Sequence, residues 1–205
     1  MTSLKTVLQT ACILLFAIAV QAQAPAGGAT GARGRGPAGP GLTLRSPDFS
    51  DGGVIPDKFT QAVSNPVSPE LDWTHVPAGT VTFALITDDL DTALQHSANE
   101  VLHWMAFNIP GSSTQLQQGV PTEVQLPDGT VQAQNSGRHA GFMGPGAPAA
   151  GPDHHYAFQL FALDEKLSLG PDATRQQVID AMQGHILGKG VLVGRFHRPQ
   201  SPPIQ

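Results

Sequence analysis

Four apolar segments constrain this chain most: Val81–Thr87 (VTFALIT), Val101–Ile109 (VLHWMAFNI), His155–Leu163 (HYAFQLFAL) and Val191–Phe196 (VLVGRF). Each is rich in β-branched and aromatic residues and is bounded by turn formers, which predicts strands. Hydrophobicity is nearly continuous in the second and third, which predicts burial on both faces. Between the last two, Thr174-Arg175-Gln176-Gln177 has the spacing of a capping box. Val178, Ile179, Met182 and Ile186 follow at helical spacing, and Gly188 supplies a stop. One short helix is therefore expected beside a sheet, a β-rich α+β chain. With 40% hydrophobic residues in 205, there is enough apolar material for one domain with a real core. The 18 prolines and 23 glycines, against only 13% charged residues, favour turns and short strands over long surface helices.

The N-terminal part is a different material. Residues 1–22 begin with Lys5, continue in an apolar run from Ala11 to Val20, and end in small residues at Val20-Gln21-Ala22. This predicts a signal peptide cleaved after Ala22, with a run too short to span a bilayer comfortably. Cys12 lies inside that run with Gln9 three positions earlier, where a lipoprotein site has an aliphatic residue. It is the only cysteine, so the mature protein is expected to contain no thiol and no disulfide. Residues 23–41 are almost entirely Gly, Ala and Pro, with Arg33 and Arg35 as the only charges, and read as a flexible linker. The domain is expected over 42–198, and the tail 199–205 is expected to be loose. The expected location is periplasmic or secreted.

Charge and motifs then exclude several functions. Sixteen acidic residues against 11 basic ones give a formal −5, which argues against a nucleic-acid or anionic-membrane surface. Without residues 1–41, eight basic residues remain against the same 16, a formal −8. Gly184-His-Ile-Leu-Gly188-Lys189-Gly190 lacks both the spacing and the hydroxyl of a P-loop. No GxSxG or HExxH element is present, and no GxGxxG follows a strand and opens a helix, so the sequence asks for no cofactor.

What remains is a set of polar residues in apolar surroundings. Asp88, Asp89 and Asp91 follow the first strand, His103 sits inside the second beside Trp104, and His154, His155 and Tyr156 open the third after the loop Gly141–Gly151. Strand ends joined by rigid loops are where sites form. A carboxylate beside an imidazole favours the imidazolium, which binds anions. Each residue also has a plainer reading. His103 is equally a core histidine bonded to a carbonyl, the aspartates a solvated turn, the loop a crossover, and His154 and His155 with Asp153 a metal site. Adjacent strand residues point to opposite faces, so at most one of the two histidines serves a single site.

The order of local motifs goes further. Ser68-Pro-Glu-Leu-Asp-Trp73, Asp88-Asp-Leu-Asp91, His103-Trp104, Asn108-Ile-Pro110, Gly141-Phe-Met-Gly-Pro145, Gly151-Pro-Asp-His-His-Tyr156 and Gly184-His-Ile-Leu-Gly188 occur in that succession. This resembles the phosphatidylethanolamine-binding protein family in its bacterial Raf-kinase-inhibitor-like branch, over residues 42–198. The resemblance implies a large central β-sheet, a smaller flanking sheet, a few short helices and a non-catalytic pocket for a small phosphorylated or anionic ligand. Carried over by motif, the ligand-binding residues are Asp89, Asp91, His103, Gly144, Pro145, His154 and Tyr156, with no catalytic and no metal-binding residue. His103, His154 and the Tyr156 hydroxyl are expected to donate to phosphate oxygens, and Asp89 to meet an ammonium. Gly144 and Pro145 are expected at the rim. Leu90 and Thr92-Ala93 stand where the family has prolines, Phe142 where the rim has tyrosine, and Asp153 is an added acid. The chain ends soon after His197, which implies a pocket without the C-terminal helix of the animal proteins. The alternatives are a protease- or kinase-inhibitor-like interaction module with an unknown protein partner, and a metal-dependent hydrolase. An apolar sheet face would also suit a homodimer.

Overall fold

The computed structural model describes residues 41–92 and 98–199. The predicted signal peptide, the linker up to Pro40 and the tail beyond Pro199 lie outside the described residues. The strands are β1 (Thr43–Arg45), β2 (Gly53–Val54), β3 (Leu71–Thr74), β4 (Thr82–Asp89), β5 (Val101–Pro110), β6 (Gln115–Leu116), β7 (Val131–Gln132), β8 (His154–Leu163) and β9 (Ile186–Phe196), with one helix, α1 (Arg175–Met182), and a 3-10 turn at Asp57–Phe59. They form a six-stranded sheet in the order β2-β9-β8-β4-β5-β7 and a three-stranded sheet in the order β1-β3-β6. The larger sheet is antiparallel except for β2 beside β9.

The four long strands are the four apolar segments. All eight residues of β4 are buried, as are the eight central residues of β5, because each strand has one face on either of two cores. Phe83, Leu85, Trp104, Phe158 and Leu160 meet Leu44, Leu71 and Trp73 of the small sheet. Ala84, Ile86, Met105 and Phe107 meet Val178 and Met182 of α1 on the other side. The capping box is formed: Gln177 N–H donates to Thr174 Oγ1 at 3.3 Å, and Thr174 N–H donates back to Gln177 Oε1 at 2.8 Å.

The helix ends sooner than its spacing predicts. It stops at Met182, Gly184 takes a left-handed φ of 85°, and Ile186 is already in β9. The pairing of β8 with β9 runs on to Leu163↔Ile186, so the sheet claims residues that periodicity gave to the helix.

The feature that positions the site is a bulge. Thr87 of β4 pairs with Trp104 but Asp88 pairs with Leu102, leaving His103 as one extra residue on β5. Strict alternation puts His103 and Trp104 on opposite faces. The bulge instead places both on the small-sheet side, with Leu102 on the helix side.

Candidate functional site

At the ends of β4 and β8 a cavity of ≈ 310 Å³ opens, with Asp89, His103 and His154 in its wall. Thr92 and Val101 close one side, and Met143, Gly146, Ala147 and Pro148 of the loop close another. Each functional side chain is placed by its strand. Asp89 is the last residue of β4 and pairs with Tyr156, while His154 is the first of β8, two residues away on the same face.

Three polar groups form a connected set. His154 Nδ1 lies 2.8 Å from Asp89 Oδ2, so the proton on that nitrogen points at the carboxylate. Asp89 Oδ1 also accepts the Asp91 amide at 3.0 Å. Tyr156 Oη accepts the amides of Gly146 and Ala147 at 3.2 and 3.1 Å. Burial, and then the charge of Asp89, push the phenol well above the ordinary tyrosine range. His103 packs edge-on against Tyr156 with ring centroids 5.1 Å apart, and its Nδ1 donates to the Met143 carbonyl at 2.7 Å. Burial holds this imidazole below its ordinary pKa, against the opposing pull of the Met143 carbonyl and Asp89.

The two histidines part as strand geometry dictates. His155 points away from the cavity and pairs with Asp91, whose Oδ2 lies 3.0 Å from its Nδ1 and 2.6 Å from its amide. Burial raises the pKa of Asp91, but these bonds from His155 outweigh it and hold the carboxyl below its ordinary value. Of the seven residues carried over by motif, Asp89, His103 and His154 line the cavity and Tyr156 supports it from behind. Asp91 does not line it, because the turn after β4 directs its carboxylate to the other side. Gly144 and Pro145 do not line it either. They are buried beneath the rim, where the Gly144 carbonyl accepts Gln61 Nε2 at 2.9 Å and the Pro145 carbonyl accepts the Gln61 amide at 2.8 Å. A Cβ on Gly144 would come within 2.8 Å of the Pro66 side chain, so the close approach of the two segments requires glycine. Phe142 is likewise turned inward, its ring edge-on to Trp104 with centroids 5.6 Å apart.

Sequence reasoning missed Gln61, which lines the cavity, and Arg198 beside it, whose Nη2 donates to Gln61 Oε1 at 2.6 Å. Neither had a signal, since both lie in irregular segments outside any motif. Among the described residues no Lys or Arg lines this cavity, and no group of three or more His, Cys, Asp or Glu is arranged to hold a metal ion. A larger cleft of ≈ 740 Å³ lies along Glu100, Asn135, Ser136 and Arg175. Two of its charged residues are already paired, since Arg175 Nη2 binds Glu100 Oε2 at 3.0 Å as well as the buried Asp88 Oδ2 at 2.8 Å, and the third, Asp172, adds negative charge.

Comparison with known proteins settles the family. The family model for Phosphatidylethanolamine-binding protein matches residues 45–197. The chain belongs to the phosphatidylethanolamine-binding protein family. A protein of Methanothermobacter thermautotrophicus is 40% identical over 157 residues, covering 77% of this chain and 99% of the relative. A Mycobacterium tuberculosis protein named as a lipoprotein, LppC, is 38% identical over 161 residues, covering 78% of this chain and 74% of its own. Among solved structures, the phosphatidylethanolamine-binding protein homologue CT736 of Chlamydia trachomatis superposes with a TM-score of 0.67 at 29% identity, over 76% of this chain and 97% of that one. Escherichia coli YbcL gives 0.68 at 25% identity, over 77% and 99%. The large mixed sheet, the small antiparallel sheet and the single short helix among the described residues are thus the fold of a family of ligand-binding proteins, in its bacterial branch. Among the described residues no helix is long and apolar enough to cross a membrane.

Proposed function

We propose that this protein is an exported, non-catalytic binding protein whose cavity at the β4 and β8 strand ends receives a small phosphorylated or other anionic ligand. In this reading residues 1–22 direct export to the periplasm or outside the cell, residues 23–41 tether, and residues 42–198 bind. The mycobacterial relative named as a lipoprotein supports export.

The observation that carries the binding reading is the Asp89–His154 pair in the wall of the same cavity as His103. The carboxylate keeps the proton of His154 on Nδ1, and once the ring is protonated its Nε2 offers a second donor to an anion. Asp89 is less free for an ammonium than the motif implies, since it already faces His154, the Asp91 amide and the Tyr156 phenol.

Phosphate, phosphoethanolamine and acetate titrated into the purified protein test this by calorimetry and histidine NMR. At least one is expected to bind with shifts at His103 and His154. Silence from all three at both residues removes the reading.

A further inference from the structure

The donors around the cavity are nearly all committed within the protein. The Gly146 and Ala147 amides are spent on Tyr156 Oη. The phenol itself stays protonated, held so first by burial and then by the charge of the Asp89 carboxylate near it. Gln61 gives Nε2 to the Gly144 carbonyl, and its Oε1 receives Arg198. His154 spends Nδ1 on Asp89, and His103 spends Nδ1 on Met143.

The His103 bond fixes a chemical identity. A carbonyl only accepts, so the proton of the neutral ring sits on Nδ1, and Nε2 is left as a lone pair. Among the described residues the one hydrogen bond of good geometry that this ring makes is at Nδ1, with the Gly144 carbonyl as a further, weaker neighbour. The groups facing the ring are Asp89 from β4, His154 and Tyr156 from β8, and the carbonyls of Met143 and Gly144 from the loop, while the charge of Asp88 acts from the opposite face of the sheet. Their pull on a second proton is outweighed by burial, the ring being 3% exposed. An anion bearing only bare oxygens therefore meets an acceptor where it needs a donor, and an acceptor left unpaired in a closed site is costly.

We propose that the cavity selects phosphomonoesters over phosphodiesters, taking the monoanion whose remaining P–OH donates to His103 Nε2. This rests on the anion-binding reading above and narrows it to one ligand class. The unprotonated oxygens of the same phosphate face His154 Nε2, which donates when that ring is protonated. A monoester such as phosphoethanolamine carries the required proton, whereas a headgroup still joined to its lipid as a diester does not. Affinity for a monoester then falls as its second proton leaves, near pH ~6.

The test compares methyl phosphate with dimethyl phosphate by calorimetry on the purified protein from pH 5.5 to 8. Methyl phosphate is expected to bind at least about tenfold tighter at pH 5.5, as follows when a site built around a hydrogen bond meets a ligand lacking it. Dimethyl phosphate does not titrate in this range, so its pH dependence reports the protein alone. The ratio of the two affinities is expected to shrink as pH rises past the monoester's second ionisation. His103→Gln supplies an amide donor in place of the lone pair and is expected to abolish the preference. Should that variant not fold, ¹⁵N NMR of the wild type carries the test. Nε2 of His103 is expected to be unprotonated at pH 7 in the free protein and to shift with methyl phosphate only. Equal affinity for the two esters, or a protonated Nε2 in the free protein at pH 7, overturns the proposal while leaving the anion reading intact. Failure of both esters, and of inorganic phosphate, phosphoethanolamine and acetate, to bind overturns both.

Discussion

Asp89 on β4 and His154 on β8 meet at 2.8 Å across a sequence separation of 65 residues, and the bond between them joins two adjacent strands at the mouth of the cavity. The same carboxylate accepts the Asp91 amide and lies beside the Tyr156 phenol, so one buried side chain orients three neighbours. Asp89→Asn keeps the shape and removes the charge. It is expected to lower unfolding free energy by about 1–3 kcal/mol, the cost of leaving buried partners badly paired. Phosphate affinity is expected to fall by about tenfold or more. Urea denaturation and phosphate titration of the same variant check both numbers, and unchanged affinity in a folded variant removes Asp89 from the site.

His103 makes stability depend on pH in a definite direction. Its folded pKa lies below the unfolded value of 6.5, so the unfolded chain takes up a proton more readily than the folded one. The stabilisation is fully present above pH 6.5 and is lost as pH falls below it toward the folded pKa. The urea midpoint is expected to drop between pH 7 and 5, and His103→Gln to flatten that slope. A wild-type midpoint that rises on acidification contradicts this.

On the opposite face, Asp88 is fully buried and bound by Arg175 through both Nε and Nη2. Glu100 shares the guanidinium, and burial, then Asp88, raise its pKa. Arg175→Met strands a buried carboxylate and is expected to cost about 3–5 kcal/mol. Adding Asp88→Asn to that variant is expected to recover much of the loss. Thermal melts of the single and double variants decide it: a double variant no more stable than Arg175→Met rules out the buried charge as the cause.

Gly144→Ala tests the rim. The new Cβ would sit 2.8 Å from Pro66 Cβ and 2.9 Å from the Phe59 carbonyl, neither of which is a flexible side-chain end. The variant is expected to lose about 1–3 kcal/mol and to displace the loop that closes the cavity. Amide exchange at Gly146 and Ala147, whose N–H groups are bonded to Tyr156, is expected to speed up more than exchange in β4.

The long strands were legible because β4, β5, β8 and the end of β9 are apolar runs flanked by turn formers. The helix start was legible because Thr174 and Gln177 are close in sequence. The small sheet was not, since β1 and β6 are three and two residues long and acquire their identity only by pairing with β3. The helix end was misread because Ile186 continues the helical period by coincidence while β8 supplies a stronger partner. At the site, the aspartate and histidines could be named from motifs, but not the split between Asp89 with His154 and Asp91 with His155. That split comes from the turn after β4. Gln61 and Arg198 were invisible because a contact spanning 137 residues between irregular segments leaves no local trace.

The bulge in β5 has a bearing on how relatives are compared. What brings the His103 imidazole to the cavity is the count of residues between Leu102 and Trp104, not histidine alone. A relative with one residue fewer there keeps the sheet and both cores, yet has no side chain at that point of the cavity wall. An alignment gap slid by one position through this stretch would credit such a protein with a cavity histidine it does not possess. Correct assignment of a cavity histidine across the family therefore turns on insertion and deletion at a single strand position, where substitution scores are least informative.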